Sequence, residues 1–145
     1  MTMPAAERTI IINTPVSVLY NVITDYEKYP EFLQEVSKVE IVSRAGNIVR
    51  AKYTVKLIKT ISYVIDLTEN ENASVKWNLV ESSIMKSNVG GWTLKDLGDG
   101  RTEATYGLDV VVKGLFVPGS IRTKLTEGTL PSTLEAFKRR AEGIQ

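Results

Sequence analysis

Residues 49–57 read Val-Arg-Ala-Lys-Tyr-Thr-Val-Lys-Leu, and the reading of this stretch decides the fold. Val49, Ala51, Tyr53, Val55 and Leu57 fall on one side of a period of two, and Arg50, Lys52, Thr54 and Lys56 fall on the other. Such alternation marks a strand with one face on a core and the other in water. The same period recurs on both sides. Upstream, Val39 and Ile41 share a face before the turn signal Arg44-Ala45-Gly46-Asn47. Downstream, Ile61, Tyr63, Ile65 and Leu67 alternate up to Asn70-Glu71-Asn72, and Val75, Trp77 and Leu79 repeat the pattern against Lys76 and Asn78. A further strand is expected over about residues 88–96, before Gly98-Asp99-Gly100 turns the chain. Ala104, Tyr106, Leu108, Val110 and Val112 close the series, with Glu103, Thr105, Asp109 and Lys113 outward. Consecutive strands joined by short turns form an antiparallel meander.

The flanks change period. Residues 9–12 read as an opening strand, after which Thr14 suits an N-cap and Pro15 the first helical position. Val18, Leu19, Val22 and Ile23 form an apolar stripe at helical spacing that stops near Asp25, and residues 26–33 (YEKYPEFL) read as a short, turn-like second helix. Beyond residues 114–119 the pattern is helical to the end, with Ile121 and Leu125, then Leu134, Phe137 and Ala141, on one stripe. Pro131 is expected to kink or interrupt that helix. Only this element is large enough to cover the apolar face of the sheet. The architecture is therefore α+β: a curved antiparallel sheet of about seven strands wrapped around a long C-terminal helix, with two short helices after strand 1. Residues 1–145 read as a single domain, long enough to bury about two-thirds of the unfolded chain's surface.

Composition narrows the chemistry. There are 18 Lys plus Arg against 17 Asp plus Glu, so bulk charge points to no nucleic-acid or acidic partner. Cysteine and histidine are both absent. That removes disulfides, thiolate nucleophiles, any His-based triad and the commonest transition-metal ligands. No dinucleotide, phosphate-loop or EF-hand spacing occurs, so neither a cofactor nor a metal is expected. Without an apolar run of roughly 18 residues or a signal-peptide pattern, the expectation is a cytoplasmic protein with no membrane span. A monomer or weak dimer is expected.

Tyr53, Tyr63, Trp77, Trp92 and Tyr106 fall inward on successive strands. Buried Tyr and Trp each carry a polar atom that wants a partner. Two readings stand: plain core aromatics with their polar ends at the rim, or the lining of a ligand cavity. Gly90-Gly91, beside Trp92, reads as a place where the sheet bends and where space is left. Leu115 and Phe116, in a Gly-bounded apolar tip, either anchor the helix start or form a mouth that touches lipid. Lys138-Arg139-Arg140 reads as a solvated helix face, and Arg50, Lys52 and Lys56 as cations balanced across strands by Asp66 and Glu69.

Pro15, residues 29–33 (YPEFL), residues 36–42, residues 51–55 (AKYTV), Gly91-Trp92-Thr93-Leu94, Gly100-Arg101-Thr102, Leu108 and residues 137–141 (FKRRA) occur in an order that resembles the polyketide cyclase/dehydrase and lipid-transport family. This family lies within the START/Bet v 1-like superfamily. The nearest likeness is to its coenzyme Q-binding, Coq10-like branch, which also contains ribosome-association toxins. The resemblance implies a helix-grip fold whose cavity holds a lipid, isoprenoid quinone or polyketide-like molecule. No catalytic residue carries over. The candidate lining is Tyr53, Val55, Tyr63 and Ile65 on the central strands, and Trp77, Leu79, Trp92 and Leu94 on the next two. Tyr106, Leu108 and Val110 follow on the last strand, and Phe116, Ile121 and Leu125 beyond it. Non-enzymatic binding or transport is the leading expectation. A cyclase or dehydratase acting through Tyr, Arg, Asp or Glu is the rival, and a ribosome- or protein-interaction module is a third. A transient membrane contact is compatible with the first.

Overall fold

The computed structural model describes residues 6–56, 59–113 and 130–143. Strand β1 (Ala6–Ile12) leads into helix α1 (Val16–Thr24) and a 3₁₀ helix over Tyr26–Glu31. Strands β2 (Val36–Ala45), β3 (Ile48–Lys56), β4 (Thr60–Asn70), β5 (Ser74–Ser82), β6 (Met85–Asp96) and β7 (Thr102–Val112) follow, and helix α2 (Leu130–Gly143) comes last. The sheet is antiparallel, in the order β1-β7-β6-β5-β4-β3-β2. Neighbours in sequence pair throughout the meander, and β1 joins its far edge on β7.

Alternation drives this arrangement. Along β3, Val49, Ala51, Tyr53 and Val55 are buried while Arg50, Lys52 and Lys56 are exposed. On the outer face Arg50 donates to both carboxylate oxygens of Asp66, at 2.8 and 3.0 Å. Glu69 serves differently, accepting the Tyr26 hydroxyl at 2.7 Å. The two-residue turn at Gly46 and Asn47 and the turn holding Gly98 and Gly100 use backbone with positive φ at the glycines, where a Cβ would be strained.

Several local expectations change. Thr14 is fully buried and its Oγ1 has no partner; its carbonyl accepts the Thr102 hydroxyl at 2.9 Å. Packing against the start of β7 therefore fixes Thr14. Pro15 takes the cap position instead, and its carbonyl accepts from Val18 and Leu19. The second helix is a 3₁₀ helix with Pro30 inside it. Strand β6 begins at Met85 rather than near Asn88, because Met85 is buried against β7 after a register shift. Pro131 is the second described residue of α2, and the residues on its N-terminal side that decide whether it interrupts a longer helix lie outside the described ones. Ile121 and Leu125 lie outside the described residues.

The basic run on α2 is a clamp rather than a solvated face. Lys138 Nζ donates to the Ile11 carbonyl at 2.9 Å and to Glu142 at 2.6 Å, and Glu142 also accepts the Asn13 N–H. Arg140 donates to Glu31 at 2.7 Å and lies over the Phe32 ring. Arg139 alone of the three is mainly exposed, at 73 %. Leu134, Phe137 and Ala141 point the other way, into the core.

Gly90 does not leave open space. A Cβ built there would lie 2.6 Å from Trp77 Cζ2 and would collide with the Gly107 carbonyl oxygen, so the Trp77 ring occupies the room that the glycine vacates. Gly90→Ala is expected to lose about 1–3 kcal/mol of stability in urea unfolding. Gly143→Ala, where nothing lies within 4 Å, should leave the midpoint nearly unchanged. Equal midpoints for the two variants would contradict this packing.

Candidate functional site

Between the concave face of the sheet and α2 lies a cavity of about 150 Å³. Tyr53, Val55, Tyr63, Ile65, Trp77, Trp92, Tyr106, Leu108 and Val110 line it. The period of two brings these together because each lies on the inward face of its strand. Leu79 and Leu94 share that face without lining the cavity: Leu94 is buried in the core, and Leu79 is half-buried against it. Phe116, Ile121 and Leu125 fall outside the described residues, as does Leu115.

The rest of the lining comes from elements whose faces the strand pattern does not assign. Helix α1 contributes Ile23, the 3₁₀ helix Tyr29, the segment after it Leu33 and Glu35, and the start of β2 Val36. Leu67 and Val75, already inward by alternation, complete the sheet side, and Thr133 and Phe137 come from α2. Asn88 is the least expected member, a polar residue at an inward position of β6 and only 6 % exposed. Alternation with Trp92 and Leu94 does place it on the inward face of β6, but its polarity reads against a core position.

Aromatic rings set the shape. Tyr53 and Tyr63 stack with centroids 5.5 Å apart at 12°. Tyr106 meets Trp77 at 5.6 Å and Trp92 at 4.9 Å. Phe137 stands edge-on to Tyr29, Phe32 and Trp92 at 5.3, 5.1 and 5.0 Å, which ties the helix to both the 3₁₀ turn and the sheet. Polar groups are few and anchored. The Trp77 indole N–H donates to Asn88 Oδ1 at 3.0 Å, and the Tyr29 hydroxyl donates to the Ile23 carbonyl.

The family model described as polyketide cyclase / dehydrase and lipid transport matches residues 12–138. The chain belongs to this family. The ribosome association toxin RatA of Pseudomonas aeruginosa is 24 % identical over 139 residues, covering 95 % of each chain. The Zhui aromatase/cyclase from Streptomyces sp. R1128 superposes with a TM-score of 0.84 at 17 % identity, over 94 % of this chain and 92 % of that one. A START superfamily protein from Mycobacterium smegmatis gives 0.83 at 21 % identity, over 97 % and 98 %. These likenesses establish the helix-grip fold. Among the described residues of this family member, no helix is long and apolar enough to cross a membrane.

Burial also sets the ionisation chemistry of the site. The chain has 6 tyrosines, and each is shifted upward from the ordinary phenol value. Burial is the leading cause for every one of them. Tyr106 is pushed up to about 12, and Tyr63 is raised further, by burial and then by Tyr106. Tyr26 is raised by burial and by its bond to Glu69. The cavity tyrosines therefore stay protonated across the physiological range.

In the unfolded chain tyrosine ionises near pH 10, below its folded value, so the stability this burial supplies is complete below about pH 10 and is lost as pH rises beyond it. Tyrosinate absorbance at 295 nm should show no step near pH 10 in the folded protein, and should rise only together with alkaline unfolding. Ionisation of several tyrosines near pH 10 with intact circular dichroism would contradict the geometry.

Proposed function

We propose that the chain works as a single ligand-binding domain that takes up a hydrophobic small molecule between the sheet and α2, for storage or transfer rather than for chemical conversion. The observation that carries this reading is the lining itself: apolar and aromatic side chains with a few fixed polar groups, the usual make-up of a small-molecule site. A volume of about 150 Å³ suits one six-membered ring. The remainder of a larger ligand would run along the second apolar cluster, where Val36, Tyr63 and Ile84 pack on Val55 and Ile61. Burial of apolar area supplies the driving force, at about 25 cal/mol per Å² before association costs. Lipids, isoprenoid quinones and polyketide-like rings all meet this description.

Conversion is the weaker reading for this chain. A cyclase or dehydratase needs a proton acceptor at the reacting carbon. Among the described lining residues the only carboxylate is Glu35, and the tyrosines hold their protons tightly.

Native mass spectrometry after incubation with oleic acid, a short-chain ubiquinone analogue and anthraquinone tests the proposal. At least one compound should add in a 1:1 complex, and Leu108→Trp, which fills the cavity while keeping an apolar surface, should weaken that complex at least about tenfold. No adduct with any of the three, or equal adducts in the filled variant, would overturn it.

A further inference from the structure

Asn88 is buried on β6 and lines the cavity, so both ends of its amide need partners. One end is satisfied. An indole N–H can only donate, so the amide atom 3.0 Å from Trp77 Nε1 is the oxygen, and this bond fixes which way the amide faces. The other end is the –NH₂ group, with two hydrogens to place. It donates to the Met85 thioether sulfur at 3.7 Å, a weak acceptor that takes one hydrogen at most. Asn88 thus lines the cavity with one amide hydrogen beyond its weak bond to Met85, and a buried donor of that kind costs free energy until an oxygen reaches it.

The rest of the wall says which kind of oxygen. Among the described lining residues there is no Lys or Arg to neutralise an anion, and Glu35 would repel one. The Tyr106 phenol on the neighbouring strand β7 and the Tyr63 phenol on β4 keep their protons, so they add uncharged hydroxyls and no countercharge. A carboxylate or phosphate would enter without a countercharge, at a large desolvation cost. A hydrocarbon would leave the Asn88 donor unpaired. An uncharged carbonyl oxygen satisfies the amide and needs no countercharge.

We propose that Asn88, held by Trp77, is the specificity-determining group of the cavity and selects ligands that carry an uncharged carbonyl on a ring. This inference rests on the reading of the cavity as a hydrophobic ligand site and adds the functional group that the site recognises.

A matched pair separates the two claims: 1-tetralone and tetralin differ by one carbonyl. Isothermal titration of the intact chain should give 1-tetralone an affinity about tenfold above that of tetralin, the difference expected for one neutral hydrogen bond gained in a buried site. Asn88→Leu should bind tetralin at least as well as the wild type and lose the preference. In the wild-type protein the Asn88 side-chain amide resonances should shift downfield with 1-tetralone and not with tetralin, a readout that needs no variant to fold. Binding of both compounds with equal affinity, or an unmoved Asn88 amide at saturation, would overturn the role of Asn88 and leave the hydrophobic site standing. Binding of neither would overturn both.

Discussion

One ring carries most of the architecture. Phe137 projects from α2 into a ring set formed by Tyr29, Phe32 and Trp92, so a single side chain joins the last helix, the 3₁₀ turn and the centre of the sheet. A seven-stranded sheet with one apolar face must bury that face, and among the described elements α1, the 3₁₀ helix and α2 all pack side chains into the core against it. Edge-to-face ring contacts of this kind add about 0.5–1.5 kcal/mol each beyond area burial. At the outer side of the same helix, Lys138 and Glu142 bind β1 and the turn after it, and Arg140 binds Glu31. The helix is therefore held at its C-terminal half from both sides.

That constraint accounts for the cavity. Leu134 and Phe137 are buried in the core under the helix, and Phe137, Val55 and Val110 all line the cavity. The aromatic lining follows from the same geometry, since rings on β3 to β7 reach across a gap that shorter side chains cannot close. Because the rings are buried, their phenols stay protonated, and because His and Cys are absent, the described wall offers neutral donors and one carboxylate for polar recognition. Fold, lining and electrostatics thus converge on an uncharged, mainly apolar guest.

Much of this was legible in the sequence, and the exceptions have physical reasons. Alternation in residues 49–57 and its repeats assigns inward and outward faces, so Tyr53, Tyr63, Trp77 and Tyr106 could be placed on the concave side before any coordinates. A period of two carries face and not partner, which is why the pairing of β1 with β7 was not legible. The lining from Tyr29 and Thr133 depends on how two helical segments dock, a tertiary matter. The inward face of Asn88 follows from its alternation with Trp92 and Leu94, but its role is not legible until Trp77, on the next strand, is seen to hold it. Lys138 and Arg140 look like ordinary surface cations until β1 and Glu31 are brought beside them.

The most direct measurement uses the protein's own reporters. Its 2 tryptophans, Trp77 and Trp92, both line the cavity. Titration with a non-fluorescent apolar aromatic quinone such as 1,4-naphthoquinone should quench intrinsic tryptophan emission with a saturable 1:1 isotherm, well beyond the quenching of free tryptophan amide under the same conditions. Quenching that stays linear and matches the free amide would show that nothing enters between the sheet and α2, and would contradict the account.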